Sequence, residues 1–361
     1  MKGRYSSLLL GFCLVFSQSL SAASVVFLNP GRTNEPFWVS YVQFMQAAAR
    51  DLGMDLEVRY AERDLNRMLD QAREVLQGEK RPDYLLFVNE QYAGPEILRL
   101  ARGSGVKLFS VNSNLTPDQQ TLTGGTRERY PDWIGSMVAN DEEAGYLMAR
   151  TLLDLQAQRA PGQPFDVLAF SGVKQTPAAQ LREQGLMRAL AEVPNAHLRQ
   201  LVYSEWNRER AHAQALQLFQ RYPEVKVVWS ANDEMAFGAM QAATELGHTP
   251  GKDVVFSALN NSTEVLHTYL DGKISALVSG HFTLGGWAMV LIHDYDAGLD
   301  FARHGGKDRE VRLFMSLDRN RATRLLRHFE RQGFDLDFRK FSLVGKKGAG
   351  AYRFSLEPLI D

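Results

Sequence analysis

From Ser24 onward, short apolar runs alternate with stretches of helical periodicity. Runs at 25–28, 56–60, 84–88 and 106–111 read as strands, with helix-period stretches near 37–52, 64–78 and 94–103 between them. The alternation resumes with strands at 167–170, 198–203, 225–229, 254–259 and 274–279, separated by helices near 175–193, 207–222 and 233–246. Such alternation predicts βαβ units and parallel sheets. Two successive series predict an α/β protein of two doubly wound parallel-sheet domains. The polar, turn-rich stretch 113–133 reads as a long loop, after which Asn140-Asp141 opens another helix. Beyond Arg312 come a strong helix at 319–331 and an irregular basic tail.

The first residues follow a different pattern. Lys2 and Arg4 precede an apolar run at 8–16, followed by Ser21-Ala22-Ala23. Charge, short apolar segment and small-residue site in that order predict a cleaved secretory signal peptide over 1–23 and an exported protein. The run is far short of the ~20 residues that span a bilayer. The single cysteine, Cys13, falls inside it behind the bulky Phe12, so the mature chain is expected to carry no thiol.

Composition excludes several classes. With 45% hydrophobic and 23% charged residues the chain is an ordinary globular one. Lys plus Arg number 41 against 42 Asp plus Glu, which gives no bulk attraction to nucleic acid. No histidine pair has metal-ligand spacing, and neither a G-x-S-x-G elbow nor a phosphate-binding glycine loop is present. No catalytic residue, metal or cofactor is therefore predicted, and binding is favoured over catalysis.

In open α/β folds the binding residues follow the carboxyl ends of strands. Those positions hold Glu35, Phe37 and Trp38, then Asn112, then Asp141 and Arg182, then Trp206, Asn232, Asn260 and His281. Aromatic faces suit the C–H faces of a sugar ring, and amide, carboxylate and guanidinium groups suit its hydroxyl edge. Each residue also has a structural reading. Phe37 and Trp38 would serve as core, and Asn140, Asp141, Asn232 and Asn260 as helix caps. Arg182 would serve as a solvated helix residue and Trp206 as a hydrophobic staple.

The segments carrying these residues resemble the type I periplasmic binding proteins, the ribose- and galactose-binding group of ABC transporters. Asn34-Glu35-Pro36-Phe37-Trp38 is similar to that group's N-x-P-F-[FW] segment. Val138-Ala139-Asn140-Asp141 resembles its crossover, and 178–185 its arginine segment. Ala231-Asn232-Asp233-Glu234-Met235-Ala236 is the most specific match, and Leu259-Asn260-Asn261-Ser262 looks like F-D-[GN]-[ST]. The resemblance runs from about Val25 to about Ala297.

The resemblance implies two lobes joined by a three-stranded hinge near Ala139, Gly280 and Arg312. The first lobe would combine 24–138 with 281–312, and the second 139–280 with 313–361. Phe37, Trp38 and Trp206 would sandwich the ligand. Arg182, Asp141, Asn232, Asn112 and Asn260 would bond its edge, with Glu35 at the rim. Amides at 112 and 260, where the family often has Asp, alter which hydroxyls or amines are recognised. The implied protein is a monomer that captures a sugar-like solute and delivers it to an ABC permease. The alternative is a signal receptor of the same fold docking on a membrane sensor kinase. An exported α/β enzyme is the third reading, without a nucleophile–base pair to support it. Arg182→Ala is expected to lose ligand affinity and leave folding nearly intact.

Overall fold

The computed structural model describes residues 22–331, 333–348 and 350–360. Of the expected signal peptide only Ala22 and Ala23 fall among the described residues, and Cys13 lies outside them. The strands are β1 (Ser24–Asn29), β2 (Asp55–Tyr60), β3 (Tyr84–Phe87), β4 (Lys107–Asn112) and β5 (Trp133–Ala139). There follow β6 (Phe165–Ser171), β7 (Ala196–Tyr203), β8 (Val227–Ser230), β9 (Val255–Leu259), β10 (Ala276–Ser279), β11 (Asp308–Val311) and β12 (Met315–Ser316). They form two six-stranded sheets, β11-β5-β4-β3-β1-β2 and β12-β10-β9-β8-β6-β7. Only the β10–β12 pair is antiparallel among the described pairings. The carboxyl ends of the parallel strands in each sheet therefore share one rim. Strands such as β3 and β8 are buried at every position, which is why they read as unbroken apolar runs.

The helices are α1 (Pro36–Leu52), α2 (Leu65–Gln77), α3 (Gly94–Leu100), α4 (Pro117–Thr123), α5 (Asp141–Arg159) and α6 (Pro177–Ala191). Then come α7 (Arg208–Arg221), α8 (Asp233–Glu245), α9 (Thr263–Leu270), α10 (Leu284–Asp296), α11 (Arg319–Glu330) and α12 (Glu357–Ile360). One face of the first sheet packs on α2 and α3 through Met68, Val75, Ile97 and Leu98, and α1 pairs with α10 on the other side. The chain passes from one lobe to the other between β5 and α5, between β10 and α10, and between β11 and β12.

Two sequence expectations need correction. The stretch 113–133 is not all loop. Thr116 caps α4 in a capping box with Gln119, and Trp133 opens β5. The tail, moreover, does not stay with the second lobe. Helix α11 packs on α9, but the chain then crosses to the first lobe. Phe334 and Phe338 meet Phe44 edge-on at 4.9 and 5.0 Å, and Phe354 stacks on Trp287 at 5.2 Å. Asp294 of α10 accepts hydrogen bonds from the Ser342 hydroxyl at 2.5 Å, the Leu343 amide at 2.7 Å and the Tyr352 hydroxyl at 2.7 Å. Finally α12 returns to α11, where Arg324 donates to the Ile360 carbonyl at 2.7 Å. The cause is the aromatic outer face of α1 and α10, which burial against these rings removes from water.

Candidate functional site: a cavity between the lobes

The two rims face each other, and a cavity lies between them. From the first lobe, Glu35, Phe37 and Trp38 follow β1, Arg63 follows β2, Glu90 follows β3 and Asn112 ends β4. From the second, Thr176, Ala178 and Arg182 follow β6, and Trp206, Asn232, Asn260 and His281 follow β7 to β10 in turn. The structure thus brings together nine of the ten sequence-predicted residues. The tenth, Asp141, stands behind Arg182 and accepts from its Nε at 2.8 Å.

The walls are aromatic and closely fitted. A Cβ on Gly31 would stand 1.9 Å from the Trp38 ring, and one on Gly172 would stand 2.0 Å from that of Trp206. Each indole therefore lies on bare backbone. Phe37 stacks on His281 with centroids 4.4 Å apart, and His281 leans on Phe314 at 4.7 Å. The Arg182 guanidinium sits 5.5 Å from the Trp206 ring. Trp38 and Trp206 are only 2% and 7% exposed, as core residues would be. Yet Trp38 Nε1, Trp206 Nε1 and His281 Nδ1 are buried without a hydrogen-bond partner in the protein. Buried polar atoms are nearly always paired, and these three unpaired ones belong to residues that line one cavity.

Charge in the cavity is balanced by pairs. Arg63 donates to Glu35, with one contact at 3.0 Å, and to Glu90 at 3.2 Å. Glu90 Oε1 also accepts from the Thr176 hydroxyl at 2.9 Å. Burial pushes the Glu90 carboxyl upward, while Arg63 and Thr176 pull it back. Burial also raises Asp141 against the pull of Arg182. Burial, and then the Arg182 charge, hold His281 well below its usual range, so its ring is neutral. Four cavity residues have left-handed backbones: Arg63 (φ 64°), Asn112 (65°), Trp206 (61°) and Asn260 (128°). Strain of this kind gathers where a side chain must be aimed. Asn232 caps α8 by accepting from the Met235 amide at 3.0 Å and lines the cavity as well. Asn260 caps no helix; its amide donates to Asp233 at 2.6 Å.

A family model described as a periplasmic binding protein domain matches residues 25–297. The chain belongs to the periplasmic binding protein family. Its relatives include the ribose import binding protein of Escherichia coli (strain K12), 25% identical over 269 residues, 73% of this chain and 81% of that protein. The galactofuranose-binding protein of the same organism is 23% identical over 203 residues, 55% of this chain and 59%, under two thirds, of that one. Among solved structures, a periplasmic sugar-binding protein from Pseudomonas fluorescens is 57% identical, with a TM-score of 0.87, covering 94% of this chain and 100% of that one. The fold is that of the type I periplasmic binding proteins, and the family is one of binding proteins and not of enzymes. Among the described residues, no helix is long and apolar enough to cross a membrane.

In this periplasmic binding protein, sequence reasoning missed Arg63, Glu90 and Thr176. A signal for two of them existed. Glu62-Arg63 follows β2 and Asn89-Glu90 follows β3, at the same strand-end position that revealed Asn112. Short charged pairs after a strand resemble solvated turns, and only the fold pairs Arg63 with Glu90 across 27 residues.

Proposed function

We propose that the protein captures a sugar-like solute between its lobes and delivers it to an ABC permease. The observation that carries this reading is a set of unpaired buried ring nitrogens, His281 Nδ1 and the donors Trp38 Nε1 and Trp206 Nε1, on residues that form flat aromatic walls. A sugar ring offers apolar C–H faces to indoles and hydroxyls to such donors. Glu35, Phe37, Asn112, Arg182, Asn232 and Asn260 complete the contacts, and Asp141 holds Arg182. The naming of relatives as import binding proteins supports transport over the signal-receptor alternative. The reading includes cleavage of the 1–23 leader, a periplasmic monomer, and lobes that close about crossings near Ala139, Gly280 and Arg312.

Native mass spectrometry of the purified protein tests the ligand. A bound neutral carbohydrate is expected, with a change in tryptophan fluorescence as it is added back. A bound amino acid in its place overturns the reading. Small-angle scattering tests closure: the radius of gyration should fall on saturation, and a constant value rejects the hinge.

A further inference from the structure

A second hollow adjoins the first on the side of β11. The cavity between the tryptophans offers about 40 Å³. The adjoining groove offers about 630 Å³. Asn112 and Ala178 line both, so the two spaces are neighbours there. We propose that the groove is a second sugar subsite, and that the natural ligand is a neutral disaccharide or substituted sugar, not a free monosaccharide. This rests on the reading of the cavity as a sugar site.

The groove has the chemistry for such a role. Ser113 is 4% exposed, and its Oγ has no partner in the protein, although buried hydroxyls are rarely left alone. The amide side chain of Gln184 lines the groove beside the apolar Leu115 and Leu181. Amides donate and accept, as hydroxyl edges require. Leu181 is 37% exposed, a free apolar surface for the C–H face of a second ring. The lining also fixes the charge class. Asp118, Asp141 and Glu310 are present, and among the described lining residues there is no Lys or Arg. A phosphate or uronate would find like charge and no cation. The left-handed backbone of Asn112 turns the chain off β4 at the junction, so that Ser113 lines the groove directly after it.

Isothermal titration with galactose, glucose, arabinose and xylose, and with lactose, melibiose, maltose, arabinobiose and xylobiose, tests the proposal. At least one disaccharide should bind about ten-fold or more tighter than either of its component sugars. Leu181→Trp, which fills the groove from an exposed lip, should weaken that disaccharide by about ten-fold and leave the monosaccharide within about two-fold. Glucose 6-phosphate should not bind. A monosaccharide that binds as tightly as its disaccharides, or a disaccharide indifferent to Leu181→Trp, overturns the groove while the sugar reading stands. Binding of no carbohydrate in the set overturns both.

Discussion

The Thr176 hydroxyl donates to Glu90 Oε1 at 2.9 Å in a buried site, tying the second lobe to the first beside the cavity. Since the same carboxylate oxygen accepts from Arg63, the bond joins a buried charge network to the opposite rim. Such a contact exists only while the lobes are together. Thr176→Val keeps the shape and removes the donor. Ligand affinity should fall by about 0.5–1.5 kcal/mol, the scale of one hydrogen bond, with little change in the melting temperature of the ligand-free protein. Titration calorimetry and thermal melts on the same sample check this, and unchanged affinity would remove the latch.

Arg182 gives a different result from the one its helix position suggests. It and Asp141 are 6% and 5% exposed in their side chains, so each depends on the other. Arg182→Ala strands a buried carboxylate and should cost about 3–5 kcal/mol of stability as well as ligand affinity. Joint replacement, Arg182→Met with Asp141→Leu, should recover most of the stability and none of the affinity. Urea unfolding beside ligand titration separates the two. Full stability in Arg182→Ala would mean that the pair opens to water.

Asp233 predicts a pH dependence. It is fully buried at the start of α8 and accepts from Asn260 at 2.6 Å and from Ser262 at 2.9 Å. Burial, and then the neighbouring Glu234 charge, raise its pKa from 3.8 to about 7. A raised carboxyl holds its proton in the native state where the unfolded chain has lost it. Its contribution to stability therefore declines as pH rises from about 4 to 7 and is flat above that. Asp233→Asn should remove that decline. Unfolding free energies measured at several pH values should diverge between wild type and variant across this window, and parallel curves would refute the assignment.

Gly172 tests the seat of Trp206. An added methyl would stand 2.0 Å from Cζ2, so Gly172→Ala must displace the indole. Overpacking of this kind costs about 1–3 kcal/mol. The ligand-induced fluorescence change should shrink, and affinity should fall more than in Thr176→Val. Wild-type affinity in a folded Gly172→Ala protein would show that Trp206 is only a wall of the core.

Much of this architecture was legible in the chain because parallel strands buried on both faces are unbroken apolar runs, as in β3 and β8. Strand β5 was not, because Gly135 and Ser136 interrupt its apolar residues. Gly135 is there for space, since a Cβ would stand 2.5 Å from the Lys307 carbonyl. The cavity was legible where aromatics and amides follow a strand. It was illegible where charged residues do, because Arg63 and Glu90 look solvated until the fold buries them together. The tail rings Phe334 and Phe338, and Tyr352 and Phe354, come as isolated pairs four and two residues apart, too short to read as a helix or strand face, so nothing local marked them as core.

The crossing of the tail back to the first lobe bears on the order in which the molecule can be completed. Strands β1 to β4 leave the ribosome early, yet the face of α1 beside them is closed by Phe334 and Phe338, near the other end of the chain. The Phe338 amide reaches the Asp51 carboxylate across 287 residues. Contacts of such separation carry the largest loop-closure cost and form late. A nascent chain cannot seal its first lobe before Phe334 and Phe338 have been made. On the exported route proposed above, that delay keeps the first lobe open, and so threadable through a translocation channel, until those two rings are released.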